Sequence, residues 1–211
     1  MVSSIAMKIQ FIVALLLTLT ACGQTSDKSQ KGIGGKTVEN KETKSMGNYS
    51  PSIDNAHPNA KRLMNEEFYW SPVEETAPFG SDDGADTYSF FAHWRQANKT
   101  GNPKDFLIAH IGYWGYPLFD LSETDFEKLQ PYLSQSSIGY RRLSGIDAAI
   151  AAIAFGQLYL EGTIDKDFKE LAKISIKREL IPELLNLWGD SYKATREMQL
   201  KKMLAVLNQV D

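Results

Sequence analysis

From Ser144 to Glu161 the chain leaves almost no polar face. Ile146, Ala148, Ala149, Ile150, Ala151, Ala152, Ile153, Ala154, Phe155 and Leu158 fall on every side of any helix drawn through them. The length suits a helix, and Gly162 supplies a C-terminal stop. A helix that is apolar all round is stable only when other elements enclose it, so this segment predicts the middle of a helical bundle. Its apparent length and the polar residues at its ends argue against a membrane span. The enclosure must come from packing alone. The chain has a single cysteine, Cys22, and so has no internal disulfide to hold it together.

The remaining punctuation is helical as well. Asn102-Pro103-Lys104-Asp105 reads as an N-cap, a first-turn proline and an acid. Ser122 with Asp125 repeats that logic, and Pro131 is expected to close the segment. Ser71-Pro72-Val73-Glu74 has a capping form, but Pro78 and Gly80 limit it to one turn. Phe168, Leu171, Ala172, Ile174 and Ile176 predict a helix ending before Pro182, and a short one follows through Leu184, Leu185 and Trp188. Leu200, Met203, Leu204 and Leu207 have the spacing of one buried helical face. No run alternates as a strand does. The fold class expected is all-α, an irregular single-domain helical bundle over residues 52–211.

Residues 1–21 read as a signal peptide. Lys8 precedes the short apolar run Ile9 to Leu19, which ends in Leu19-Thr20-Ala21-Cys22-Gly23. Leu-Thr-Ala-Cys resembles the lipobox of bacterial lipoproteins. The resemblance implies a diacylglyceryl thioether on Cys22, cleavage before it, and acylation of the new amino group, since one acyl chain anchors only reversibly. Gly23 in place of an aspartate implies sorting to the outer membrane, with the body on the periplasmic side. Met7-Lys8 would start an equally good n-region, so translation from Met7 is an alternative to Met1. Residues 22–51 form the lipidated cysteine and a linker rich in Gly, Ser, Thr, Lys, Gln and Asn, with Gly32-Ile33-Gly34-Gly35 and no helical or strand period. Such a composition predicts a disordered tether with a reach of roughly 30 Å.

With a formal net charge of -3 and acids and bases interspersed, the chain has no basic stripe, which argues against nucleic acid as a partner. The stretch that stands out is 56–87, with Phe68-Tyr69-Trp70 and the acids Asp82, Asp83 and Asp86 opening a predicted helix that reaches His93 and Trp94. Helical geometry puts Asp82, Asp86 and His93 near one face, with His93 expected to be partly buried. Three carboxylates within five residues suit a hard divalent cation such as Ca²⁺ or Mg²⁺. The EF-hand pattern fails, because its twelfth position falls on His93. The competing role is structural: Ser81 or Asp82 caps the helix and the acids complement its dipole. His57 before Pro58 reads as a turn residue, and neither it nor His93 or His110 belongs to an HExxH pair. No Gly-x-Ser-x-Gly elbow or phosphate-cradling loop is present. Tyr113, Trp114 and Tyr116 on a glycine-bounded stretch suit either packing or contact with a partner.

His57-Pro58, Phe68-Tyr69-Trp70-Ser71-Pro72 and Pro78-Phe79-Gly80-Ser81-Asp82-Asp83-Gly84-Ala85-Asp86-Thr87 together resemble the YfeS-like bacterial proteins, a family of uncharacterised function. The likeness extends to Ser144-Gly145-Ile146-Asp147-Ala148-Ala149 and to Glu183-Leu184-Leu185-Asn186-Leu187-Trp188. It covers the body and implies no activity; the lipobox and linker look like additions to it. The expectation is a membrane-anchored, non-enzymatic binding module of the cell envelope, with an immunity-like role as one form and no cofactor. The alternative is a metal-dependent hydrolase built on Asp82, Asp83 and Asp86, with His57 or His93 completing the site. The anchor is directly testable. Cys22→Ser is expected to leave the chain uncleaved or soluble when membranes are fractionated; normal maturation with unaided membrane partitioning would refute lipidation.

Overall fold

The computed structural model describes residues 51–211; the signal peptide, Cys22 and nearly all of the linker lie outside the described residues. Eight α-helices follow one another: α1 (Pro58–Leu63), α2 (Asp82–Ala97), α3 (Pro103–Tyr113), α4 (Phe126–Leu133), α5 (Gly139–Glu161), α6 (Lys166–Glu179), α7 (Pro182–Leu185) and α8 (Asp190–Gln209). Three short 3₁₀ turns complete the order, and no strand occurs among the described residues. The fold is an all-α single domain.

Helix α5 is the axis. Ile146, Ile150, Ile153, Ala154, Phe155 and Leu158 are wholly buried, each large side chain contributing about 1.5–3 kcal/mol of transfer free energy. Its alanines favour the helix and let neighbours approach closely. Helices α1, α2, α3, α4 and α6 all pack on it, and α8 packs on α6. Helix α2 runs in the same direction as α5: Asp83 meets Arg141 at one end, and Arg95 meets Glu161 at the other. Helices α6 and α8 alternate in direction, so Glu179 meets Arg196 while Lys169 reaches the Val210 carbonyl at 2.6 Å.

Gly162 ends α5 at φ +76°, and its N–H donates to the Leu158 carbonyl at 2.9 Å. A side chain there would be strained and would also collide with the His57 ring. His57 belongs to the same joint. Its N–H donates to the Tyr159 carbonyl at 2.9 Å, and its Nδ1 accepts from the Asn59 N–H at 3.1 Å, capping α1. Asn59 Nδ2 then donates to the Gly162 carbonyl at 2.6 Å.

Several expectations need correction. Helix α5 starts at Gly139 rather than Ser144, because its first turn is amphipathic: Leu143 is buried while Tyr140 and Arg141 face out. The resulting 23 residues span about 34 Å. Length therefore does not exclude a membrane crossing; the burial of 83% of its most apolar window within the fold argues against one. Pro131 lies inside α4 rather than at its end. Its ring is exposed and forfeits one bond to the solvent-facing Glu127 carbonyl, while burial of Tyr132 and Leu133 carries the helix on. The cap of α4 is Asp125, which accepts from the Glu127 N–H at 3.0 Å; Ser122 instead donates both its N–H and its hydroxyl to Asp120.

The deepest polar group went unforeseen. Arg178 on α6 is completely buried. Its Nε and Nη2 donate to the two oxygens of Asp147 on α5 at 3.1 and 2.5 Å, and Nη1 donates to the carbonyls of Leu121 and Glu123 at 2.9 and 2.8 Å. The guanidinium carbon also stands 5.0 Å from the Phe119 ring centroid. Burial pushes the Asp147 carboxyl up to about 6, against the pull of Arg178. Asp147→Asn is expected to destabilise the fold by about 3–5 kcal/mol in denaturant unfolding, because it strands a buried cation. The pair replacement Asp147→Leu with Arg178→Met should recover most of that loss. A single variant as stable as the parent would refute this role.

Candidate functional site

The 71–81 loop is fastened before it reaches α2. The Thr76 hydroxyl lies 2.6 Å from Glu74 Oε1, 2.9 Å from the Tyr192 hydroxyl and 2.7 Å from Gln199 Oε1, and Tyr192 donates to Glu74 at 2.5 Å. Hydrogen bonds from Thr76 and Tyr192 hold the Glu74 carboxyl below its usual range. Arg196 Nη1 donates to the Thr76 carbonyl at 2.8 Å. The loop is thereby tied to α8, and Ser81 caps α2 by accepting from the Gly84 N–H at 3.1 Å.

These constraints open a cleft where the N-terminal ends of α2 and α5 face the α6–α8 corner. It has two adjoining hollows, of about 250 and 390 Å³, within the range of small ligand sites when joined. They share Arg141, Ser144, Glu179 and Trp188. The smaller is mainly apolar, with Leu143, Leu184, Leu187 and buried Asp147 in its lining. The larger carries Glu75, Asp82, Asp83 and Arg196. Asp83 accepts an ion-pair hydrogen bond from Arg141, and Glu179 accepts from Arg196 at 2.5 Å. The Arg196 guanidinium carbon also stands 5.2 Å from the Trp188 ring centroid. Gly145 makes room for the first pair: a Cβ there would stand 2.8 Å from Asp83 Oδ2 and 3.0 Å from Arg141 Nη1.

The residues anticipated from sequence are divided among three places. Asp82 and Asp83 line the cleft; Asp86, one turn on, is exposed and is not among the residues lining it. His57 sits at the opposite end of α5, roughly 25 Å away by helical rise between Gly145 and Gly162. His93 is exposed rather than partly buried, because its side of α2 faces a separate groove of about 610 Å³ beside α3. Phe90, Trp94, Phe106 and Tyr113 line that groove. No three His, Cys, Asp or Glu side chains among the described residues are grouped as metal ligands would be. Cys22 lies outside the described residues.

Sequence reasoning had not assigned Arg141, Glu179 or Arg196 to a site. Their signal is faint, since single charges on helices normally mark solvated faces. A better signal came from the longer motifs. Ser81-Asp82-Asp83, Ser144 with Asp147, and Leu184, Leu187 and Trp188 come from three separate stretches singled out in the sequence, and all of them meet at this cleft. No family model matches the chain, and neither does any curated protein or solved structure.

Of the 112–117 aromatics, Tyr113 is exposed, while Trp114 packs against His110 with ring centroids 4.4 Å apart. Tyr116 lies under the guanidinium of Arg142 at 5.9 Å. His110 is buried, with Nε2 3.2 Å from the Thr87 hydroxyl. Burial lowers its pKa below 6.5, opposed by the charges of Asp86 and Asp83. The unfolded chain therefore takes up this proton more readily than the folded one. The stabilising contribution is present above pH 6.5 and is lost as pH falls through the depressed folded value. His110→Gln is expected to flatten the stability profile between pH 7 and pH 5, as read by denaturant midpoints; an unchanged slope would refute the assignment.

Proposed function

We propose that the chain is a lipid-anchored, non-enzymatic binding module of the cell envelope, YfeS-like in its body, with the α2–α5–α8 cleft as its capture site. The observation that carries this reading is the convergence at one concavity of three sequence stretches that no local structural need groups together. Trp188 gives the cleft an aromatic wall of the kind that anchors bound partners. The ionisable groups suit binding better than turnover. Two of the four rim carboxylates are held by arginines, and the other two stand on the rim with no histidine in the lining; the hydroxyls there, Ser81 and Ser144, are engaged by the Gly84 N–H and the Arg141 carbonyl. The sequence of the first 22 residues supports placement on the periplasmic side of a membrane, held there through Cys22.

The test uses the full-length protein as bait in detergent-solubilised envelope membranes. A stoichiometric partner is expected with the parent, and its loss is expected with the surface variant Asp82→Lys/Leu187→Lys. The same preparations should not turn over generic ester, phosphodiester or glycan substrates. Capture that ignores the cleft variant, or turnover that copurifies with the protein and disappears in Asp82→Asn, would overturn the reading.

A further inference from the structure

The binding-module reading leaves the ligand's chemistry open, and the cleft narrows it. Four carboxylates line the larger hollow, those of Glu75, Asp82, Asp83 and Glu179, against two guanidiniums, Arg141 and Arg196. The difference is two negative charges. The shortage of donors is greater than the charge alone suggests. Glu75 and Asp82 have no side-chain hydrogen bond among the described residues, and Asp83 and Glu179 each accept through one oxygen only. Glu75 and Asp82 are exposed, so water satisfies their oxygens in the free protein, and a cationic donor would replace that water with charge-assisted hydrogen bonds.

A second, independent observation points to a different group. Arg196 is 6% exposed, and its Nε–H has no acceptor. Three buried side-chain atoms lack partners among the described residues, and this is the one whose residue lines the cleft. Its two terminal nitrogens are already committed to the Thr76 carbonyl and to Glu179. An orphaned, buried charged-group N–H calls for an acceptor such as a carbonyl oxygen. The third demand is apolar. Leu143, Leu184 and Trp188 floor the smaller hollow, with Leu187 standing 60% exposed at its lip.

Other ligand classes meet only part of this. A divalent cation needs several oxygens converging at about 2.3–2.6 Å, whereas these carboxylates are spread along a rim and are not grouped as ligands. An anion would answer Arg196 but face the acidic surplus. An apolar molecule would leave the carboxylates without donors. From these three demands we infer that the cleft binds a polypeptide segment in which a basic side chain adjoins a bulky apolar one. The basic group takes the free oxygens of Asp82 and Glu75, a backbone N–H donates to the free oxygen of Glu179, and the apolar side chain enters beside Trp188; a turn of the Arg196 side chain brings its Nε–H, closed to solvent in the free protein, to a backbone carbonyl.

The inference rests on the binding-module reading but fails separately from it. The probe is a capped hexapeptide alternating arginine and leucine, titrated calorimetrically into the full chain. Two control peptides replace arginine with glutamate or leucine with serine. The parent peptide is expected to bind, the glutamate peptide not to bind, and the serine peptide to bind about tenfold or more weakly. Glu75→Gln/Asp82→Asn changes only exposed groups and should weaken binding about tenfold at low salt, with the gap closing at about 0.5 M salt. Leu187→Ser, also exposed, should weaken it severalfold. Circular dichroism confirms that each variant is folded.

No binding up to about millimolar peptide, equal binding of the glutamate peptide, or indifference to the double variant would overturn the assignment. So would Ca²⁺ or Mg²⁺ binding that depends on Asp82 and Glu75. If the peptide fails while membrane capture still depends on the cleft, the ligand chemistry is wrong and the binding module stands.

Discussion

The architecture depends on one buried ion pair. Asp147 sits in an otherwise apolar stretch of α5, and a carboxylate cannot be left there without a cation and hydrogen bonds to satisfy it. Arg178 supplies both, and its Nη1 donates to the carbonyls of Leu121 and Glu123. One side chain thereby joins α5, α6 and the loop before α4. Such a pair adds little net stability over a well-packed apolar replacement, but it permits one register and discourages others. Sliding α6 along α5 by a turn would strand a charge in the core. An all-Ile/Ala helix, whose faces look alike to its neighbours, lacks that kind of instruction.

The cleft inherits its geometry from this register. Arg141 and Ser144 lie about two turns and one turn before Asp147 on α5. Glu179 is the residue after Arg178 and so emerges from the core next to the pair. Once α6 is fixed, Glu179 selects the orientation of α8 through Arg196, and Arg196 holds the loop that delivers Asp82 and Asp83. The chain of contacts runs from the buried pair outward to the rim, so the positions of the exposed groups follow from a pair buried beneath them.

How much of this could be read beforehand follows the range of the physics. Local signals were legible: Asn102 and Ser81 as caps, Gly162 as a left-handed stop, and the periodic face of α8. They depend on residues within one turn of each other. Pro131 was misplaced because its cost is a single backbone bond, and the burial of Tyr132 and Leu133 outweighs it. The start of α5 was misplaced because Tyr140, Arg141 and Arg142 break the apolar run, and of residues 140–143 only Leu143 is buried. His93 was expected to be partly buried beside Trp94, yet neighbouring residues on a helix point about 100° apart, and of the two only Trp94 packs against the core. Asp147 did carry a legible clue, as the single acid in an apolar run. Its partner lies 31 residues on, and nothing in the spacing singles out Arg178 from the other cations of α6.

The contrast between floor and rim says most about function. Beneath the cleft, Arg178 makes four hydrogen bonds, two to Asp147 and two to backbone carbonyls. Above it, carboxylate oxygens and one guanidinium N–H are left over within the same concavity. The exposed carboxylate oxygens are hydrated in the free protein, and a bound donor would replace that water. At the start of α2 the structural and functional roles of the acids also cease to compete. Placing Asp82 and Asp83 in the first turn stabilises the helix through its dipole, which makes it inexpensive to hold surplus negative charge at the mouth of a cleft. The helix N-terminus thus stabilises carboxylates that the arginines of α5 and α8 only partly neutralise, and it is there that the proposed basic ligand would make its contacts.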